Sequence, residues 1–355
     1  MKRLAIVLYN LGGPDRLEAV EPFLYNLFMD PAIITASLPL RWLLAKLISK
    51  RRAPLAQDIY KHIGGRSPLL DLTFEQARAL ETALRSGLRG IEIQAFVCMR
   101  YWHPMSAEVA SAVKAFEPDQ IVMLPLYPQY STTTTGSSFL DWDRAAASVG
   151  IAAPSKRICC YPADVGLITA QAELLIEALE QARNQAGDTA LRVLFSAHGL
   201  PKKIVDKKGD PYPQHVGQGA AAIVERMKSL DIPLDDWLVC YQSRVGPLEW
   251  LGPSTEDEIR RAGRDGVALV VLPIAFVSEH SETLVELDIE YKQLAVECGV
   301  NTYVRVPAVG THEVFINGLA NLVQLTLDQE QSLCPSGATE RICPDNAQAC
   351  PMGLP

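Results

Sequence analysis

The chain has 355 residues, 48% of them apolar, and a formal net charge of −8 at pH 7. This length and apolar content suffice for a large core and commonly mean two domains rather than one. The acidic balance excludes a chain built to neutralise nucleic-acid phosphates, and no stretch reaches the roughly 18 uninterrupted apolar residues of a membrane span.

Residues 1–9 begin like a signal peptide, with Lys2 and Arg3 ahead of apolar residues. The apolar core is short, however, and runs into Asn10-Leu-Gly-Gly-Pro14 instead of a small-residue cleavage site. The stretch reads as the first buried strand of a cytoplasmic protein. The glycines after it are not a dinucleotide fingerprint, since no G-x-G-x-x-G follows and Pro14 lacks a backbone donor. A tight structural turn is the reading there.

Residues 33–57 contain Arg41, Lys46, Lys50, Arg51 and Arg52 and no acidic residue, interleaved with Leu38, Leu40, Trp42, Leu43, Leu44, Leu47 and Ile48. Such a cationic amphipathic element either hides its apolar face in a core or forms a lip, here about residues 31–52. A lip of this kind covers a large apolar ligand bearing carboxylates or lies on an anionic membrane surface.

Compact apolar runs recur at 91–97, 121–126, 191–195, 237–241 and 267–276, separated by amphipathic stretches of helical length. Strands spaced by helices predict βαβ units, hence an α/β fold with mainly parallel sheets flanked by helices. The order also repeats. Asn10-Leu-Gly-Gly-Pro14 resembles Ala197-His-Gly-Leu-Pro201, Val97-Cys-Met echoes Val239-Cys-Tyr, and Val122-Met-Leu-Pro-Leu126 echoes Val271-Leu-Pro-Ile-Ala275. Two similar doubly wound domains are expected, over 1–155 and 156–328, with facing strand tips enclosing a cleft, followed by a cysteine-containing extension at 329–355.

His198 follows the apolar run at 191–195, in a turn made by Gly199 and Pro201, where a neutral imidazole accepts a proton or binds a metal. An isolated turn histidine bonded to backbone is the plain alternative. Glu279, Glu282, Glu286 and Glu290 are spaced by three, four and four residues, so a helix beginning near Ser278 carries them as one acidic ridge. A charge run is usually a solvated face. This one starts at the tip of a very apolar run, where its first turn is expected to be partly buried. Burial raises carboxylate proton affinity and suits proton acceptance and relay. His280 adds a titratable group at the mouth of the ridge.

Many ordered motifs make the chain resemble the ferrochelatase family over nearly its whole length. They include Asn10-Leu-Gly-Gly-Pro14, Arg51-Arg-Ala-Pro54, Ile63-Gly-Gly-Arg-Ser-Pro68, Arg100-Tyr-Trp-His-Pro104, Tyr127-Pro-Gln-Tyr-Ser131 and Thr135-Gly-Ser-Ser138. Ser196-Ala-His-Gly-Leu-Pro201, Gly209-Asp-Pro-Tyr-Pro213, Gln242-Ser-Arg-Val-Gly-Pro247, Trp250-Leu-Gly-Pro253 and Glu286-Leu-Asp-Ile-Glu-Tyr291 continue them. The resemblance implies two Rossmann-like domains around a porphyrin cleft, and insertion of Fe2+ into protoporphyrin IX with release of two protons, the last step of haem synthesis. It implies His198 and Glu282 as the facing catalytic pair and ligands of the substrate iron. Glu279, His280 and Glu286 would continue a proton or metal path. Arg52, Tyr60, Ser67, Arg100 and Trp250 would line the porphyrin site, with residues 38–48 as its lip. Coproporphyrin III as substrate, or a cobalt chelatase reaction, are the neighbouring alternatives; a porphyrin carrier without turnover has no use for the acidic ridge. A homodimer and peripheral contact with the inner face of the membrane are further implications.

Of the eight cysteines, Cys98, Cys240 and Cys298 read as small apolar core residues. Cys334, Cys343 and Cys350 lie in a polar, Pro-rich tail after the last expected helix, 313–327, and are one short of a four-thiolate metal site. Some ferrochelatases bind a 2Fe-2S cluster through three C-terminal cysteines and one between the domains. That resemblance implies Cys160, in preference to Cys159, as the fourth ligand. The spacing here, C-x8-C-x6-C, is wider than the animal C-x2-C-x4-C. A structural zinc site or metal-free thiols are the alternatives.

Overall fold

The computed structural model describes residues 1–353 except Val245 and Pro247. Those two positions of the Gln242-to-Pro247 motif, and Leu354 and Pro355 of the extension, lie outside the described residues. In chain order the strands are β1 (Lys2–Asn10), β2 (Ile91–Met99), β3 (Gln120–Pro125), β4 (Ser155–Ile158), β5 (Leu191–His198), β6 (Trp237–Gln242), β7 (Ala268–Pro273), β8 (Tyr303–Arg305) and β9 (Leu333–Cys334). They make two parallel sheets, ordered β2-β1-β3-β4-β9 and β6-β5-β7-β8. Parallel strands covered by helices on both faces need apolar residues throughout rather than in alternation. β7 satisfies this with Ala-Leu-Val-Val-Leu-Pro, every residue buried.

The internal repeat holds in the hydrogen-bond register. In the first sheet Asn10 pairs with Met99 and Tyr9 with Pro125. In the second, Ala197 pairs with Tyr241 and Ser196 with Pro273. Cys98 and Cys240 therefore hold equivalent places, as do Pro125 and Pro273, and His198 stands where the first unit has Leu11.

Contacts divide the chain differently from the sequence expectation. One compact unit takes residues 1–161 and 319–341, the other 162–318 and the residues from 342 onward. The first unit passes the expected end at 155 because β4 completes its sheet, pairing Ile121 with Ser155 and Met123 with Arg157. Residues 329–355 do not form a unit of their own. β9 adds to β4, pairing Arg157 with Leu333 and Ile158 with Cys334. Farther on, the Ala349 amide donates to the Gly209 carbonyl at 3.1 Å, within the second unit.

The basic apolar stretch forms a helix, Leu38–Lys61, longer than the lip expected from sequence. Besides Tyr60 near its end, its buried positions are Ala45, Ser49 and Ala53, small and four apart, which lets it pack closely on the helix Val20–Met29. Leu38, Leu40, Trp42, Leu43, Leu47 and Leu55 are exposed, Leu38 to 61%. Among the described residues no helix is long and apolar enough to cross a membrane. Cys98 and Cys240 are core residues, but Cys298 is half-buried because it caps the short helix Lys292–Glu297 near the surface.

Candidate active site

His198 is the last residue of β5, so its side chain stands at a strand tip. The next residue must be glycine. A Cβ on Gly199 would lie 2.8 Å from the Gln242 carbonyl oxygen and 3.4 Å from Trp250 Cε3, and the Gly199 amide donates to that same carbonyl at 2.8 Å. Glu282 opens a π-helix, Glu282–Tyr291, and its Oε2 lies 2.9 Å from His198 Nδ1. Such wide-turn segments are rare and concentrate at functional sites.

Burial by itself pushes the His198 imidazole down, but the Glu282 charge and hydrogen bond, with the Glu286 charge, outweigh it and the net shift is upward. Glu282 shows the converse: burial pushes it up, and the His198 charge and hydrogen bond prevail, holding it well below the usual carboxylate range. The two side chains are still 38% and 29% exposed, so a ligand reaches them. His280 Nε2 lies 3.8 Å from Glu282 Oε2. Burial lowers the His280 pKa despite the neighbouring Glu282 and Glu279 charges, and its ring meets Phe276 edge-on at 4.5 Å.

The expected acidic ridge is resolved into separate fates. Glu286 accepts from Gln242 Nε2 at 3.0 Å, the Ser243 amide at 2.7 Å, Tyr291 Oη at 2.9 Å and Ser243 Oγ. Burial and the Glu282 charge nevertheless raise its proton affinity. Glu279 departs from the expectation of raised affinity. Burial pushes it up, but Arg305 Nη1 at 2.8 Å and the Ala308 amide at 2.9 Å hold it as an anion below the ordinary value. Arg305 also forks onto Asp288 of the π-helix at 2.6 and 2.8 Å. Glu290 is exposed. The α-helix expected from Ser278 is instead a turn, with the His280 amide donating to Thr283 Oγ1 at 3.0 Å, leading into the π-helix.

Gln242, Ser243 and Tyr291 lie in motifs quoted from the sequence but were given no role there, and Arg305 was not singled out. Gln242 is the informative case. It ends β6 beside His198 in register, accepts from Ser196 Oγ at 2.8 Å, and so directs its NH2 to the Glu282 carbonyl and Glu286, both at 3.0 Å. Trp250 pairs with Pro201, beyond the turn that follows His198.

In the first unit, Ser67 and Tyr60 converge on the turn after β1. A Cβ on Gly13 would come 2.5 Å from Ser67 Oγ and 3.9 Å from Tyr60 Oη, so this turn is tight because a side chain crosses it. Arg52 is half-buried on the lip helix, burial lowers its pKa, and it forms no ion pair among the described residues. Arg100, by contrast, is bound to Asp30 at 2.9 Å and lies 3.7 Å from Asp141.

The ferrochelatase family model matches residues 3–327. The ferrochelatase of Phenylobacterium zucineum is 51% identical over 353 residues, covering 98% of this chain and 100% of that protein. This chain belongs to the ferrochelatase family. The ferrochelatase of Caulobacter vibrioides is 50% identical over 350 residues, covering 99% of this chain and 97% of that protein. Among solved structures, SirB from Bacillus subtilis with Fe3+ shares the fold with a TM-score of 0.51 at 12% identity, covering 92% of this chain and 96% of that one.

The cysteines that resemblance to cluster-bearing ferrochelatases singles out are all buried thiols, the right donor type for a cluster. Cys160 and Cys334 sit together in the first unit, through the β4–β9 pairing and a 2.7 Å bond from the Ser336 amide to the Cys160 carbonyl. Cys159 Sγ lies 3.5 Å from Cys160 Sγ. Cys343 and Cys350 belong to the second unit, where Cys343 Sγ lies 3.4 Å from His215 Nε2. Among the described residues no group of three or more His, Cys, Asp or Glu side chains stands ready to hold a metal ion. Cys160 and Cys334 thus fall in the first unit and Cys343 and Cys350 in the second.

Proposed function

We propose that this ferrochelatase-family chain, whose reaction is insertion of Fe2+ into a porphyrin in haem synthesis, acts on protoporphyrin IX with His198 and Glu282 as the reacting pair. The observation that carries the reading is the 2.9 Å contact between His198 Nδ1 and Glu282 Oε2, made by residues 84 apart in sequence at the mouth of a strand tip. A free-base porphyrin must lose two pyrrole protons as the dication enters, so the site needs a base beside a metal path. With Nδ1 held by Glu282, the other ring nitrogen, Nε2, takes a pyrrole proton. The N–H electron pair left on the macrocycle turns to the iron, and Glu282 stabilises the imidazolium that results. Glu282, ionised, is the ligand for arriving Fe2+. Glu286, with raised proton affinity, receives that proton onward, which returns Nε2 to its neutral form to take the second pyrrole proton. Glu279 stays an anion under Arg305 and contributes charge rather than proton transfer.

Arg52, a cation with no ion pair among the described residues, is matched to a porphyrin carboxylate, and Tyr60, Ser67 and Trp250 are the other porphyrin contacts of this reading. The reading is tested by turnover of protoporphyrin IX against coproporphyrin III, with Fe2+ and Co2+ supplied separately. Protoporphyrin with Fe2+ is the expected preference; faster turnover of the tetracarboxylate, or of cobalt, rejects it.

Two finer readings accompany it. The exposed apolar and cationic faces of the lip helix support peripheral contact with an anionic membrane surface from the cytoplasmic side, measured by co-sedimentation with anionic vesicles. Cys160, Cys334, Cys343 and Cys350 would hold a 2Fe-2S cluster, a one-electron centre outside the insertion chemistry, and four buried thiols support that donor set. Brown protein whose visible absorption bleaches on reduction is expected; colourless protein rejects it.

A further inference from the structure

One densely bonded carboxylate lies outside the His198 site. Asp30 follows the helix Val20–Met29, and its Oδ1 accepts from the Ala32 amide at 2.8 Å, which turns the chain toward the lip. Its Oδ2 accepts from Arg100 Nη2 at 2.9 Å, from Tyr101 Oη at 2.7 Å and from Ser137 Oγ. Arg100 Nε in turn donates to Ser137 Oγ at 2.8 Å. The Asp30 side chain is only 2% exposed and that of Arg100 13%. The backbone of Arg100 and Tyr101 is itself fixed to the end of β1, through the Asn10 and Leu11 carbonyls at 2.9 and 3.0 Å. Asp30 thus ties the root of the lip to two strand tips and to the first turn of the helix Thr135–Val149.

The lip helix buries few large side chains, since Leu38, Leu40, Trp42, Leu43, Leu47 and Leu55 are exposed. It rests on the helix Val20–Met29 through small residues, and that helix ends in the Asp30 anchor. We infer that Asp30, Arg100 and Ser137 form a fastening that holds the lip helix in place within the first unit and thereby sets porphyrin affinity, as positioning residues rather than porphyrin ligands. The inference rests on reading the lip as the porphyrin cover. A porphyrin carboxylate reaching Arg100 would have to displace Asp30 from a nearly dry ion pair, and stranding one member of such a pair is costly. Arg52 carries no such burden. The internal repeat points the same way: Arg100 follows Met99 as Gln242 follows Tyr241, and Gln242 likewise holds a carboxylate, Glu286.

The experiment is steady-state kinetics of the full chain with porphyrin and Fe2+ varied independently. Asp30→Asn keeps the shape and removes the charge. It is expected to raise the porphyrin KM by about tenfold, as a misplaced binding element does, while the KM for Fe2+ and kcat change by less than about twofold. Partial unfolding would lower kcat through the active fraction and leave the porphyrin KM alone. Adding Arg100→Gln to Asp30→Asn should cost little more than the worse single change, since the two act as one unit. Additive losses would mean that Arg100 binds porphyrin directly and would overturn the inference. Should Asp30→Asn fail to fold, Ser137→Ala removes one strut, and a porphyrin KM unmoved there overturns it equally. Trp42→Ala, on the exposed lip face, separates the two layers of argument. A KM raised by Trp42→Ala but untouched by Asp30→Asn rejects the fastening and leaves the lip standing. A KM untouched by both rejects the lip, and the fastening with it.

Discussion

The two units share a strand order and a register yet use the same positions for opposite ends. Past the edge strand of the first sheet, Arg100 grips Asp30 with a full positive charge. Past the edge strand of the second, Gln242 grips Glu286 with a neutral amide. A guanidinium makes a fixed ion pair; an amide supplies hydrogen bonds and no charge, so burial and the Glu282 charge keep the proton affinity of Glu286 high. At the central strand tip the second unit has His198 where the first has Leu11. Nor does the first unit offer a carboxylate after β3, since no acidic residue lies between Asp119 and Asp141. One frame therefore yields a unit suited to holding and a unit suited to reacting, and the side chains at three tips decide which.

The largest expected way to sharpen this contrast is His198→Ala, which removes the base and lowers kcat by about a thousandfold. Porphyrin binding, followed by fluorescence, should survive; unchanged turnover would take His198 out of the mechanism. Glu282→Gln comes next, with a loss of about a hundredfold and a diagnostic pH effect. Proton acceptance needs the neutral imidazole, and Glu282 raises its pKa, so in the unaltered protein the acid limb of kcat/KM lies above the ordinary value of about 6.5. Without the carboxylate, burial favours the neutral ring against the Glu286 charge alone, and the limb should move to lower pH. A stationary limb would assign it to another group. Glu286→Gln is expected to lower kcat by about tenfold with porphyrin KM unchanged, and an effect confined to porphyrin affinity would remove Glu286 from the proton path. The smallest effect belongs to Leu11→His in a His198→Ala background. An imidazole moved to the equivalent tip should restore no measurable turnover, because no carboxylate faces it; recovery of activity would break the contrast altogether.

Much of this was legible in the chain. Each of the six long apolar runs contains a strand, and the repeat was visible because Cys98 and Cys240, and Pro125 and Pro273, sit at matching tips. β4, β8 and β9 have four, three and two residues, too few for any periodicity to emerge. His198 was legible as a histidine in the turn after an apolar run and Glu282 as a member of the spaced ridge; only their pairing came from the family resemblance, and the fold brings them into contact. The ridge was misjudged because spacing records where carboxylates recur along a helix, whereas their proton affinity depends on partners from elsewhere in the chain. Arg305, 26 residues beyond Glu279, fixes that carboxylate as an anion. Gln242, 44 residues before Glu286, helps to cradle the other. The unit boundary failed for a related reason, since nothing near residue 155 announces that the short strand there pairs back to residues 121–123 and, from Arg157, onward to Leu333.

That late arrival bears on how the protein is made. During synthesis β4 is translated more than 170 residues ahead of the strand that covers its outer edge, so on the nascent chain the donors and acceptors of that edge face outward, unpaired, until Leu333 and Cys334 emerge. Leu333 and Cys334 close that edge late, and a ribosome stalled shortly before Leu333 would leave the first sheet open to association with another chain.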